Sequence, residues 1–374
     1  MKIGIVCYPV KGGSGVVASE LGLALSASGV EVHFFSYALP FRLTGFDANF
    51  IFHEVEVTSY PLFKYPPYTL SLAARLAEES KRVGLDIIHV HYAIPHAISG
   101  FLAKQILGPD APKLITTLHG TDITLVGQHP SFYAVTKFSM EVSDALTTVS
   151  RYISDRTRES FGITERIEII PNFVDVTRFK PDQKGCDRAE FASHDEKIIM
   201  HMSNYRPVKN ADNVIRIFDI VNKRLPSRLI LVGDGPEAPN ALSLADSLGL
   251  KDRVTFLGAQ DMVESVLCKA DLFLLPSASE AFGLAALEAM ACGVPVVGSI
   301  VGGLPELVKN GDVGYLEPVG DVGAMARRSL EILTDGELHR KMSKRAREIT
   351  VKKFTTEKVV GQYKEFYRKV LEDG

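Results

Sequence analysis

Tryptophan is absent, cysteine numbers four, and neither charge sign dominates the 374 residues: 42 Lys and Arg stand against 45 Asp and Glu, a net charge of −3. The balance holds along the chain, with 14 basic and 16 acidic residues over 1–170 and 28 and 29 over the remainder. Neither half can neutralise a run of phosphates, which excludes nucleic acid as the main partner while leaving small anionic ligands open. Cys7, Cys186, Cys268 and Cys292 are scattered with no Cys-x-x-Cys, and the chain opens on a strand-like Lys2–Val6 with no secretory signal ahead of it. A disulfide scaffold is therefore excluded and a reducing cytoplasm expected. No apolar run approaches the roughly 18 residues that a membrane span requires. There is no Gly-Lys dipeptide, hence no Walker A loop, and no Asp-x-Asp pair to clamp a divalent ion.

What is present is ordinary globular composition, 46% hydrophobic and 23% charged, on a chain whose length predicts about two domains and a cleft between them. Short β-branched runs alternate with amphipathic stretches. Strands are expected at 2–8, 31–36, 49–58, 86–91, 113–119, 145–149 and 166–170, with helices between them such as 15–28, 68–83 and 131–142. That alternation indicates βαβ units and a parallel sheet over 1–170. An irregular segment, 171–196, with Pro171, Pro181, Gly185 and a mixed-charge run around Lys184 and Asp187, reads as the domain crossing. The alternation then restarts over 197–353, with strands at 197–203, 228–233, 253–258, 272–276, 294–299 and 313–316. The two halves read as doubly wound, Rossmann-like α/β domains. Residues 321–372 read as successive helices; from Glu337 to Asp373 they carry 11 basic and 6 acidic residues, interleaved as on a solvated face and not as a membrane-binding stripe.

Several loops carry chemistry. Gly12-Gly13-Ser14-Gly15 follows the first strand, and Gly13-x-Gly15-x-x-Ala18 fits a phosphate-approaching turn at a helix start. The acidic residue that a nicotinamide cofactor needs at the end of the second strand is missing, since that strand ends in Ser36. Gly233-Asp234-Gly235-Pro236-Glu237 repeats the pattern in the second half, with Pro236 suited to a first helical turn. The third loop is the stretch from Ser277 to Glu288, closed by Gly293 as a left-handed helix cap. Glu280 lies in the loop and Glu288 a turn inside the helix, so the two can grip different parts of one elongated ligand. Glu288, set among Ala and Leu, requires polar partners such as vicinal ribose hydroxyls. Amides of Phe282, Gly283 and Leu284 are expected as helix-start donors to a phosphate or sugar oxygen. The turn Asn204-Tyr205-Arg206-Pro207-Val208-Lys209 supplies two cations, able to clamp a leaving diphosphate. In the first half, His89-Val90-His91-Tyr92 and Thr117-Leu118-His119-Gly120-Thr121-Asp122 end two strands, where ligands of open parallel sheets bind. His89 and His91 share a face, which leaves a zinc site with His96 or His119 open, although no recognisable ligand spacing completes it.

Taken together, Glu280 and Glu288 around Phe282-Gly283-Leu284, with Gly233 to Glu237, Lys209 and Pro171-Asn172-Phe173-Val174-Asp175, resemble the retaining glycosyltransferases of family four along essentially the whole chain. The resemblance implies a GT-B fold: two Rossmann-like domains facing across a cleft, with a C-terminal helix, 354–374, returning to the N-terminal domain. Phe63 to Tyr68, His89 to His96 and Thr117 to Asp122 look like those members that glycosylate L-malate at the start of bacillithiol biosynthesis. It follows, by resemblance, that N-acetylglucosamine passes from UDP-N-acetylglucosamine to the malate hydroxyl with retention, without metal or other cofactor. The implied donor residues are Gly12, Gly13, Asn204, Arg206, Lys209, Gly233, Glu280, Ala281, Phe282, Gly283, Leu284 and Glu288. Ser14, Lys64, Tyr92 and Thr117 would face the acceptor. His119, Arg206, Lys209 and Glu280 would serve the reaction, with Glu280 positioning and not attacking. Two positions depart from the pattern: Asn204 stands where many members carry Arg, and Phe173 replaces the Gly of an Asn-Gly-Val-Asp turn. A family-four enzyme with a lipid-linked or polysaccharide acceptor, a nicotinamide oxidoreductase and a non-catalytic nucleotide-sugar binder are the competing readings, and self-association into a homo-oligomer stays open.

Overall fold

A computed structural model describes residues 1–9, 12–40, 48–57, 61–181 and 186–373. The chain divides into two compact units, Met1–Asn172 with Thr356–Gly374, and Phe173–Thr355. The first holds seven parallel strands, β1 (Lys2–Val6), β2 (Glu31–Ser36), β3 (Phe50–Glu54), β4 (Ile87–His91), β5 (Lys113–Leu118), β6 (Ala145–Thr148) and β7 (Ile167–Ile169), in the order β3-β2-β1-β4-β5-β6-β7. Its helices are α1 (Gly13–Ala27), α2 (Tyr68–Val83), α3 (Ile98–Leu107), the short α4 (Thr121–Thr124), α5 (Pro130–Glu141) and α6 (Arg151–Phe161). Strand β4 is buried at every residue, as a strand covered by helices on both faces must be. The elements fall within a few residues of the expected spans; Thr58, the last residue expected of the third strand, lies outside the described residues.

The second unit repeats the plan with six parallel strands: β8 (Lys197–Met202), β9 (Ser227–Val232), β10 (Val254–Phe256), β11 (Leu272–Leu275), β12 (Val296–Ser299) and β13 (Gly314–Glu317), ordered β10-β9-β8-β11-β12-β13. Helices α7 (Ala211–Asn222), α8 (Ala238–Ser247), α9 (Glu264–Leu267), α10 (Leu284–Ala291), α11 (Leu304–Leu307), α12 (Val322–Thr334) and α13 (Gly336–Lys353) surround it. The Leu-Phe-Leu-Leu of β11 is wholly buried. The segment expected as a crossing groups from Phe173 onward with this unit, its residues 182–185 lying outside those described. Arg347 fixes part of it by donating to the carbonyls of Val176 (2.8 Å) and Phe179 (2.6 Å), while Val174, next to the departure at Phe173, bridges Thr355. Cys186 and Cys268 form a disulfide. Their separation of 82 residues hides that pairing from a search for local cysteine motifs.

The last helix, α14 (Thr356–Glu372), belongs to the first unit. Tyr363 and Tyr367 on it are fully buried, and the Tyr367 hydroxyl meets His89 Nδ1 at 2.8 Å. Both sheets reverse their winding where the first strand of the unit adjoins the fourth, at β1/β4 and at β8/β11. Ligands of open α/β sheets bind outside the carboxyl ends of strands at such switch points.

Candidate active site

In the second unit the turns after β8 and β11 are locked together. Ala278 N–H donates to Val208 O (2.8 Å), Asn210 Nδ2 donates to Pro276 O (3.0 Å), and Lys209 Nζ donates to Glu280 Oε1 (2.6 Å). Ser277 Oγ donates to the same carboxylate oxygen at 2.9 Å. The structure thus pairs Lys209 directly with Glu280, whereas the sequence reading assigns them to separate ligand groups. Lys209 keeps two further protons for an oxyanion, and Glu280 keeps Oε2. Arg206 is exposed and caps the 3₁₀ turn Pro207–Lys209; Asn204 leaves Oδ1 buried without a partner.

Beneath this turn lies His201, which the sequence reading passes over. Its Nδ1 donates to Leu274 O (2.9 Å), so Nε2 accepts from Ser203 Oγ (2.9 Å), and Ser203 Oγ accepts from Tyr205 N–H (3.2 Å). Burial, aided by the Lys209 charge, lowers the His201 pKa to about 4. Glycines close the construction. A Cβ on Gly233 would stand 1.8 Å from Ser203 O, and one on Gly235 2.0 Å from Asn204 O. These glycines therefore serve backbone packing against the cationic turn, a role that the Gly-x-Gly spacing alone does not reveal. Pro236 precedes the helix; α8 begins at Ala238 and has Pro239 in its first turn.

Helix α10 starts at Leu284 with Gly283 as N-cap, φ 96°. The amides lacking intrahelical acceptors are consequently those from Gly283 to Ala286, shifted from the expected Phe282–Leu284. Phe282 turns its ring inward against Phe354, with centroids 5.9 Å apart. Glu288 is buried on α10, and Ala281 is partly exposed beside Glu280.

In the first unit Gly12 caps α1 in an extended conformation, φ −125°, and Gly13 opens the helix. Ser14 Oγ and the Tyr92 hydroxyl form a short hydrogen bond, so two residues expected at the acceptor meet. Tyr92 (φ 87°), Tyr205 (φ 41°) and Asn210 (φ 50°) are the non-glycine residues with positive φ among those described. All three follow β4 or β8, the switch-point strands, and backbone strain of this kind concentrates at functional sites. Asp122 ties the two strand ends together: Oδ1 accepts from Gly120 N–H (2.9 Å) and His119 N–H (3.2 Å), Oδ2 from Ala93 N–H (3.1 Å). Burial raises its pKa to about 6 against the pull of those amides.

His91 Nδ1 and His119 Nε2 lie 2.7 Å apart, with the Tyr92 ring 5.3 Å from His119. Thr117 is not available to an acceptor. It is fully buried, and its hydroxyl is engaged by His89 Nε2 (2.6 Å) and Thr147 Oγ1 (2.5 Å). Strand alternation turns it into the interior beneath α14. Lys64 is exposed, its ammonium 5.4 Å from the Tyr65 ring. His96 donates through Nδ1 to His91 O (2.5 Å). Among the described residues no group of three or more His, Cys, Asp or Glu is arranged to hold a metal ion.

These histidines make stability depend on pH. Burial depresses the pKa of His53, His96 and His201 to about 4 and of His89 to about 3, and holds His91 well below its usual range. The unfolded chain takes up protons from about pH 6.5 downward while the folded chain does not. Stability is therefore complete above that pH and falls progressively as pH drops below it, each of these histidines adding to the loss. Asp122 has the opposite sign, its contribution present at low pH and lost as pH rises toward 6, but it is one group against five. Denaturant titrations at pH 7.5 and 5.5 should show a clear drop in midpoint at the lower pH; coincident curves would refute the neutral buried state of these rings.

Two doubly wound α/β units, each with a strained or cationic turn at its switch point, place polar groups where open parallel sheets bind their ligands. Residues 11–178 match the family described as Glycosyltransferase Family 4, and residues 184–349 match Glycosyl transferases group 1. The chain is 48% identical over its full length to N-acetyl-alpha-D-glucosaminyl L-malate synthase of Bacillus anthracis, covering 98% of that protein. Among solved structures it resembles sucrose-phosphate synthase of Thermosynechococcus elongatus (TM-score 0.84, 23% identity, all of both chains). It also resembles Anabaena HepE in complex with UDP-glucose (TM-score 0.83, 21% identity, 99% of this chain and 100% of that one). The chain belongs to the GT-B glycosyltransferases of family four. A nicotinamide oxidoreductase is thereby set aside.

Proposed function

We propose that this protein transfers N-acetylglucosamine from UDP-N-acetylglucosamine to the hydroxyl of L-malate, with retention at the anomeric carbon, as the first step of bacillithiol biosynthesis in the cytoplasm. The observation that carries the choice of sugar and acceptor is the full-length likeness to the malate synthase. No helix among the described residues is long and apolar enough to cross a membrane, in keeping with a small polar acceptor.

In this reading the diphosphate lies against Lys209 and Arg206, whose cations stabilise the negative charge that grows on the departing phosphate. Glu288 takes the ribose hydroxyls. Glu280, already bound to Lys209 and Ser277, offers its other oxygen to a sugar hydroxyl and holds the ammonium in place. The acceptor hydroxyl attacks from the face that the diphosphate leaves, and its proton passes to the departing phosphate oxygen. Gly12 and Gly13 serve the donor diphosphate, and the Ser14–Tyr92 pair supplies polar surroundings for the acceptor. The cations of the β8 turn supply the charge that a metal provides elsewhere, so the reaction is proposed to run without an added cofactor. Incubation with UDP-N-acetylglucosamine and a panel of hydroxy acids tests it: UDP should be released with L-malate well above the rest of the panel. Absence of release with malate would overturn the acceptor, and binding of UDP without any release would leave a non-catalytic binder.

A further inference from the structure

His91 and His119 share one proton across 2.7 Å, between Nδ1 of the first ring and Nε2 of the second. Two arrangements satisfy that bond. In one, His91 carries its proton on Nδ1 and donates to His119, leaving His91 Nε2 as a bare acceptor. In the other, His119 donates from Nε2 and the His91 proton moves to Nε2. The surroundings of His91 decide between them. Its ring is fully buried, and its Nε2 has no hydrogen-bond partner among the described residues. A buried N–H without an acceptor is rarer and costlier than a buried lone pair without a donor. The ring faces no carboxylate at that nitrogen; its neighbours are the His89 ring at 4.6 Å and the His119 ring at 5.0 Å. The first arrangement therefore prevails, and both rings are neutral at physiological pH, since burial lowers the pKa of each.

We propose that His91 is a positioning residue that holds His119 in the Nδ1–H tautomer, so that His119 presents a hydrogen-bond donor, not an acceptor, to the substrate. A donor there suits an N-acetyl carbonyl or an acceptor carboxylate, both of which a bare nitrogen would repel, and it also suits the oxygen of a sugar hydroxyl. His119 has no other side-chain bond to enforce the choice, and its backbone is already fixed through Asp122. Sheet register supports the assignment. His91 ends β4 and pairs with Thr117 of β5, two residues before His119, so neighbouring strand ends hold the two rings together. The role assigned to the donor rests on the transferase reading above, while the tautomer itself does not.

Histidine-selective ¹⁵N labelling of the full chain, with His119 assigned by loss of its signals in His119→Asn, reads the tautomer without substrate. The wild-type protein should show His119 protonated at Nδ1. His91→Asn keeps an amide donor near the Nδ1 position and should preserve both that tautomer and most of kcat. His91→Phe removes the donor and should release His119 into a mixture of tautomers, with kcat falling about 10- to 100-fold and KM for UDP-N-acetylglucosamine nearly unchanged. His91→Asp should reverse the tautomer, raise the His119 pKa and displace the pH profile of kcat. A wild-type spectrum with His119 protonated at Nε2 would overturn the proposal whatever the variants do. So would a folded His91→Phe protein with wild-type kcat. Failure of the wild-type protein to release UDP with malate strikes the transferase reading alone, because the tautomer is measured independently.

Discussion

Lys209→Ala is expected to lower the kcat of UDP release by about 100- to 1000-fold, the range seen when one preorganised donor to a developing anion is removed. Two effects converge in this substitution. The ammonium lost is the one placed by the turn after β8, and Glu280, its partner at 2.6 Å, is buried. Without the cation that carboxylate retains Ser277 Oγ as a donor and carries an uncompensated charge, a condition that destabilises proteins by about 3 kcal/mol or more. Glu280→Gln separates the two effects. Its amide still reaches Ser277 and Lys209 but has neither the charge nor the nucleophilicity of a carboxylate. If Glu280 positions, Glu280→Gln should keep its rate within about tenfold of the parent and no glycosyl adduct should form on residue 280. A covalent adduct trapped there, or Lys209→Ala with an unimpaired kcat, would require a different mechanism.

The fold was legible because its signal is periodic. Runs such as Leu272 to Leu275 and Val296 to Val297, separated by helix-length segments, can bury both faces only in a helix-covered parallel sheet, and strand ends fell within a few residues of expectation. The cationic turn and the Glu280 loop were legible for a related reason, since polar residues directly after buried strands lie where such sheets bind ligands. Positions that depend on tertiary partners were not. Thr117 sits in a motif beside His119, yet the strand turns its hydroxyl toward Thr147 and α14. His201 looks like one more residue of a buried strand until Leu274 and Ser203 are seen on its two nitrogens. Asp122 is an ordinary early-helix carboxylate in the sequence, and only the fold brings Ala93, 29 positions away, onto its second oxygen. The Cys186–Cys268 pairing belongs to the same class, because nothing local announces a contact made across 82 residues.

Gly302→Ala should be strongly damaging, because the methyl it adds has no room beside Glu280. Gly302 has φ 57°, and a Cβ there would stand 1.7 Å from the carbonyl oxygen of Glu280. The same carbonyl accepts from Gly303 N–H at 2.9 Å, so the loop after β12 is the floor on which Glu280 rests. An alanine must either leave the left-handed region or push the Glu280 backbone away, since the atom it meets is main chain and cannot swing aside. Strain at a positive φ and forced displacement of packed backbone together amount to about 3 kcal/mol. That corresponds to roughly 6–12 °C in Tm for a unit of this size. Displacing Glu280 also breaks its geometry with Lys209, so affinity for UDP-N-acetylglucosamine should fall even in the fraction that stays folded. Gly29→Ala provides the contrast. Its φ is 84°, but a Cβ there meets nothing within 4 Å, so it should cost about 1 kcal/mol of strain and leave UDP release intact. If Gly302→Ala behaved like Gly29→Ala, with Tm and KM near those of the parent, the loop after β12 would not be what holds Glu280.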